Sequence, residues 1–114
     1  MEYRYKLEIE LDEDKIRADG EYTVEQLKRY IIDECTELEI TTIVEQEGTM
    51  IIIYNGDNSI FWGRFGIIET DLYYETTWFR KYAKKMYWYN HDRGADYCED
   101  DLQGFYEDDL KYGD

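Results

Sequence analysis

Residues 2–11 read Glu-Tyr-Arg-Tyr-Lys-Leu-Glu-Ile-Glu-Leu, with an apolar or aromatic side chain at every second position. Side chains of an extended chain alternate between its two faces. Tyr3, Tyr5, Leu7, Ile9 and Leu11 therefore share one face, and Glu2, Arg4, Lys6, Glu8 and Glu10 the other. This is a half-buried strand, and the rest of the fold is read against it.

Residues 12–21 form a charged connection with Asp19-Gly20 as its turn signal. Thr23 and Gln26 then stand three residues apart as a capping box, with Tyr22 and Leu27 at the positions of a hydrophobic staple. A helix starts there. Val24, Leu27, Ile31, Cys35 and Leu38 recur at helical spacing, which makes Cys35 a small core residue rather than a nucleophile.

Beyond Leu38 the β-branched content rises, and residues 40–45, 49–54 and 59–68 read as three strands of an antiparallel meander. Glu47-Gly48 and Asn55-Gly56 supply the turns, and Gly63 and Gly66 mark a bulge or a close backbone approach in the last strand. Thr70 or Asp71 caps a second helix, with Leu72, Phe79, Tyr82, Met86 and Tyr89 on one face and Arg80, Lys81, Lys84 and Lys85 on the outer one. The expected fold is α+β, a single domain over residues 1–114. An antiparallel sheet of about four strands is joined to two main helices in the order β-α-β-β-β-α, and residues 92–114 follow as an acidic tail.

Charge is segregated along this chain. The 28 acidic and 13 basic residues leave a formal charge of −15. Residues 78–91 sum to +4, residues 92–114 to −7 and residues 1–77 to −12. A surplus of this size opposes direct contact with nucleic acid or anionic lipid and favours a basic partner. Tyr97, Leu102, Phe105, Tyr106 and Leu110 interleave with the tail acids, so the segment can form a short helix that docks. The tail either meets a partner or folds back on Arg80, Lys81, Lys84 and Lys85 and neutralises them.

No catalytic set emerges. His91 is the sole histidine and lies in the polar stretch Asn90-His91-Asp92, which excludes a confident Ser/His/Asp or Cys/His arrangement. Asp12-Glu13-Asp14 opens like a calcium loop, but Ile16 and Arg17 stand where an EF-hand needs a polar ligand and a glycine. Trp62-Gly63-Arg64-Phe65-Gly66 lacks the Lys-Ser/Thr of a P-loop. The expectation is no enzyme, no metal and no cofactor. Cys35 and Cys98 lack zinc or redox spacing, and no signal peptide or apolar run of about 18 residues is present. That pattern reads as a protein of the reduced cytoplasm.

An ordered set of segments carries a resemblance: residues 12–16, Asp19-Gly20-Glu21-Tyr22-Thr23-Val24-Glu25, Trp62-Gly63-Arg64-Phe65-Gly66, Trp78-Phe79, Trp88-Tyr89-Asn90 and Glu99-Asp100-Asp101-Leu102. It resembles small acidic accessory proteins of phages and conjugative elements of Gram-positive bacteria, of the anti-CRISPR and antirestriction kind. The resemblance implies a stoichiometric inhibitor that occupies the nucleic-acid groove of a host defence enzyme, with a CRISPR effector nuclease as partner in the bacterial cytoplasm. An immunity protein that neutralises a basic nuclease toxin would use the same complementarity. The residues expected to meet the partner are the acids Glu99, Asp100, Asp101, Glu107, Asp108 and Asp109, with Tyr97, Phe105 and Tyr106 as aromatic anchors.

Overall fold

A computed structural model of the protein describes residues 5–37, 44–55, 61–94 and 96–112. Tyr3, Leu38 and the Gly56 turn lie outside them.

The opening strand, β1 (Tyr5–Leu11), is the spine of the sheet. Tyr5, Leu7, Ile9 and Leu11 are buried and the residues between them half-buried, as the alternation predicts. Residues 12–21, expected as a bare connection, contain a helix, α1 (Glu13–Asp19). Asp12 accepts a hydrogen bond from the Lys15 amide to cap it, Ile16 plugs it into the core, and Gly20 ends it at φ 66°. Two turns of helix with one large apolar residue leave no periodicity to read, so only the terminal Asp-Gly showed in the sequence.

The capping box of α2 (Val24–Glu37) forms as predicted. The Thr23 amide donates to Gln26 Oε1 at 2.9 Å, and the Gln26 amide donates to Thr23 Oγ1 at 3.1 Å. Leu27, Ile31 and Cys35 bury its inner stripe. Lys28 is also buried, its ammonium donating to the Gly48 carbonyl at 2.8 Å, which pins the helix to the turn of a hairpin. That hairpin is β2 (Val44–Glu47) and β3 (Met50–Asn55), joined through Gly48 at φ 60°.

Of the third strand predicted over residues 59–68, residues 59 and 60 lie outside the described ones, and the rest is not a strand. Phe61–Thr70 is a helix, α3, which continues as a π-helical turn over Asp71–Glu75. Ile68 and Leu72, four residues apart, are both fully buried, while Ile67 is exposed. A short apolar run fits a strand or a buried helix equally well by periodicity, so the packing decides. Gly66 and Thr70 belong to this helix, and the Thr70 hydroxyl donates to the Gly66 carbonyl.

The second predicted helix survives as two short pieces, the π-helical turn Asp71–Glu75 that carries Leu72 and, after a break, α4 (Phe79–Tyr82). At Ala83 the period changes from helical to two, and Ala83–Asn90 is strand β4, with Met86, Trp88 and Asn90 buried. Phe79, Tyr82 and Met86 satisfied a helical pattern by chance across that change; Tyr89 does not share their face. The consecutive aromatics Tyr87, Trp88 and Tyr89 favour the pleated surface, where they divide between its two faces, and β4 pairs with the side of β1 that β3 leaves open. A short β5 (Cys98–Asp100) and a closing helix α5 (Asp101–Tyr112) follow.

The result is α+β, with an antiparallel sheet in the order β2-β3-β1-β4-β5. Register places Ile51, Ile9 and Met86 in one cross-strand row and Ile53, Leu7 and Trp88 in the next. Ile16, Leu27, Ile31, Cys35, Ile68, Leu72, Phe79 and Tyr82 join these rows in one core. On the opposite face Glu8 accepts from the Tyr89 hydroxyl at 2.6 Å and lies 3.2 Å from the Lys85 ammonium. Both partners sit diagonally across from it, within reach of long side chains. Cys35 is buried and Cys98 exposed, and both thiols are free. No helix among the described residues is long and apolar enough to cross a membrane.

Candidate functional site

The tail begins as an edge strand. Tyr87 pairs with Asp100, Trp88 with Glu99 and Tyr89 with Cys98, so β5 fixes where the last helix starts. Asp100 Oδ1 accepts from the Gln103 amide at 3.1 Å, capping α5 at its first turn. The helix then runs back along β4 and reaches the cationic segment.

Two contacts hold it there. Phe105 stacks on Tyr73, with ring centroids 5.0 Å apart and planes at 19°, and meets the edge of Tyr74 at 5.7 Å. Asp109 lies 3.5 Å from the Arg80 guanidinium and accepts from the Tyr74 hydroxyl at 3.3 Å. The guanidinium also covers the Tyr73 ring at 4.6 Å, while its Nε donates to the Tyr73 carbonyl. Burial, with Asp109 beside it, pushes the Tyr73 hydroxyl up to about 12.

A third contact joins α5 to α3. Glu69 is 7% exposed, and its Oε2 has no hydrogen-bond partner among the described residues. Burial drives its pKa far above the usual carboxylate range, and a side-chain hydrogen bond to Asp101 and the charges of Asp101 and Glu99 drive it further. Asp101 is raised too, first by burial, while its bond with Glu69 works in the opposite direction. The arrangement that satisfies both directions is a protonated Glu69 donating to an ionised Asp101.

The nine predicted partner residues therefore divide. Phe105, Asp101 and Asp109 are engaged inside the molecule. Tyr97 donates to Glu99 in a short hydrogen bond, and Arg93 donates to Tyr97 at 2.9 Å and lies 3.8 Å from Glu99. Asp100, Glu107, Asp108 and Tyr106 are exposed on the surface of the tail, and none of these acids has a cation within ion-pair distance among the described residues.

The cationic segment is largely neutralised. Lys81 meets Asp19 at 3.0 Å, Lys85 meets Glu8, and Arg80 meets Asp109. The Tyr82 hydroxyl and Lys81 hold Asp19 below the usual carboxylate range. Lys84 alone of the four is exposed and without an ion-pair partner among the described residues. The fold-back alternative is thus realised at Arg80, whereas Lys81 and Lys85 are met by acids from the N-terminal half.

Between β4 and α5 this arrangement leaves a groove of about 680 Å³, lined by Tyr73, Tyr87, Leu102, Tyr106 and Leu110 together with Arg80, Lys84, Asp100, Gln103 and Asp109. Tyr73 and Tyr87 were given no role in the sequence reading, and neither was Glu69; nothing near them in the chain distinguishes them from core residues. His91 is exposed on a short 3-10 turn. Among the described residues no three His, Cys, Asp or Glu side chains are grouped to hold a metal ion. Comparison with protein-family models, curated proteins and solved structures gives no match to this chain.

Proposed function

We propose that the protein is a stoichiometric inhibitor of a bacterial nucleic-acid-targeting defence enzyme, acting as an acidic mimic in the enzyme's DNA-binding channel. A CRISPR effector nuclease is the target class that the resemblance implies. The observation that carries this reading is the disposition of charge. Lys6, Arg17, Lys28, Arg29, Arg80, Lys81, Lys85 and Arg93 each stand within 4.0 Å of a carboxylate of the same chain. Eight cations among the described residues are thus paired within the chain, and the formal surplus of 15 negative charges is left for the surface.

That surplus attracts Lys- and Arg-lined grooves over distances set by the Debye length and raises association rates. Asp100, Glu107 and Asp108 would take the place of phosphates at the first contact. Their charge governs the encounter more than the lifetime of the complex.

The test is displacement of a labelled target duplex from a CRISPR effector, followed by fluorescence anisotropy. DNA binding should be lost at one equivalent of the protein. Asp100→Asn, Glu107→Gln and Asp108→Asn combined should slow association by about tenfold at low salt and flatten its salt dependence. Substoichiometric inactivation would replace the inhibitor with an enzyme, and unaltered DNA binding across effector types would end the reading.

A further inference from the structure

The groove between β4 and α5 has the size of a binding site and an uncovered apolar rim. Ligand pockets span about 300–1,000 Å³, and this one falls inside that range at about 680 Å³. At its mouth Leu110 is 72% and Tyr106 55% exposed, the two most exposed large apolar side chains among the described residues. Tyrosine is enriched in binding hot spots, and the exposed Leu110 beside it extends the apolar surface that a partner would cover.

Its charges have an order along the groove. Tyr87 pairs with Asp100, so that carboxylate stands at the level of Tyr87. Lys84 lies three residues back along β4, roughly 10 Å away at strand spacing. Asp109 is occupied by Arg80 and Tyr74. One oxygen of Asp100 caps α5, and no cation of the chain meets it among the described residues. The groove thus offers a carboxylate at one level, further along an ammonium with no ion-pair partner among the described residues, and tyrosine and leucine surface between them.

We propose that this groove is the anchor pocket for a protein partner. It would take one apolar side chain, leucine or aromatic, from a segment whose neighbouring Lys or Arg pairs with Asp100 and whose backbone carbonyl meets Lys84. The inference rests on the inhibitor reading and locates its short-range contact. The formal charge of −15 selects the occupant: it repels an anionic small molecule and a second copy of the chain, and concentrates cationic segments.

The test uses the full chain, 15N-labelled, and three capped tetrapeptides: Lys-Leu-Trp-Lys, Glu-Leu-Trp-Glu and Lys-Gly-Gly-Lys. Lys-Leu-Trp-Lys should shift the amides of Tyr87, Leu102 and Leu110 saturably. Lys-Gly-Gly-Lys should shift only amides near exposed acids, and Glu-Leu-Trp-Glu should shift nothing. Tyr106→Ser with Leu110→Ser should weaken the groove response by about tenfold or more, leaving the Lys-Gly-Gly-Lys response and the melting temperature in place. Lys84→Ala serves as a second variant should that pair perturb folding.

Shifts at exposed acids alone, the same for both cationic peptides, would remove the pocket and leave the acidic-surface reading standing. No response to either cationic peptide would remove both. Equal binding of the acidic peptide, or dimerisation through Tyr106 and Leu110, would overturn the stated occupant.

Discussion

Glu69 shows how one side chain can make stability depend on pH in the direction opposite to an ordinary paired carboxylate. An Asp or Glu held ionised by a cation contributes stability above its unfolded pKa, and Glu8 is of that kind: burial raises it, but Tyr89, Lys85 and Lys6 together hold it below the usual value. Glu69 is held protonated, because burial and the facing Asp101 and Glu99 raise its pKa. Its stabilisation is complete below the unfolded value of 4.5 and is lost as pH rises toward the elevated folded pKa. Within that window each pH unit costs about 1.4 kcal/mol for a single proton. Glu69→Gln keeps a donor for Asp101 and removes the titration. Denaturant midpoints measured between pH 5 and 9 should fall steadily for the natural chain and much less for Glu69→Gln. Parallel slopes would mean that Glu69 is ionised in the folded protein. Cys35 is the simpler case of burial, its thiol pushed up to about 12 and so inert as a nucleophile at neutral pH.

For the elements, the question is what holds α5 against the body. The Arg80–Asp109 pair is half-exposed, with side-chain exposures of 50% and 32%, and a pair of that kind contributes about 0–1 kcal/mol. The Phe105–Tyr73 stack adds about 0.5–1.5 kcal/mol beyond the apolar area it covers. Stacking should therefore dominate. Phe105→Ala should release α5 by about 2 kcal/mol, roughly half the cost of removing a fully buried ring, and Arg80→Ala by clearly less. Hydrogen exchange would report this as faster exchange at residues 101–112 with β1 unchanged; a larger effect of Arg80→Ala would make the ion pair the latch. The elements also divide by how legible they were. Strict alternation from Tyr5 to Leu11 and the capping box at Thr23 are local signals, and both hold. Residues 61–70 and 83–90 exchanged their expected states, because an apolar run with two glycines and an aromatic-rich run each fit both periods. Which one pairs with β1 is settled only by tertiary packing. In the same way the tail acids were visible as a cluster, but the division between exposed Glu107 and engaged Asp109 required the helix to be docked.

Over the whole molecule two electrostatic effects compete. Eight ion pairs between described residues favour the folded chain, and the remaining acidic surplus repels itself within a radius of gyration of 14.0 Å. Most of the pairs are at least partly exposed and individually weak, whereas the repulsion sums over every unpaired acid, so repulsion should win. Raising NaCl from about 0.01 M to about 0.5 M shortens the Debye length from ~30 Å to ~4 Å and screens mainly the long-range term. The melting temperature should therefore rise with salt. Glu21, Glu37 and Glu75 are exposed, lie outside the tail and take part in none of these pairs. Replacing the three with Gln should raise the low-salt melting temperature by several degrees, the shift that ~1 kcal/mol brings in a domain of this size, and should reduce its salt response. A melting temperature that falls with salt would show that the internal pairs outweigh the surplus. An acidic field that destabilises its own fold while drawing in a basic groove predicts one further asymmetry in the same three-Gln variant: greater stability together with slower association to the partner. If stability rises and association is unchanged, steering comes from the tail acids alone.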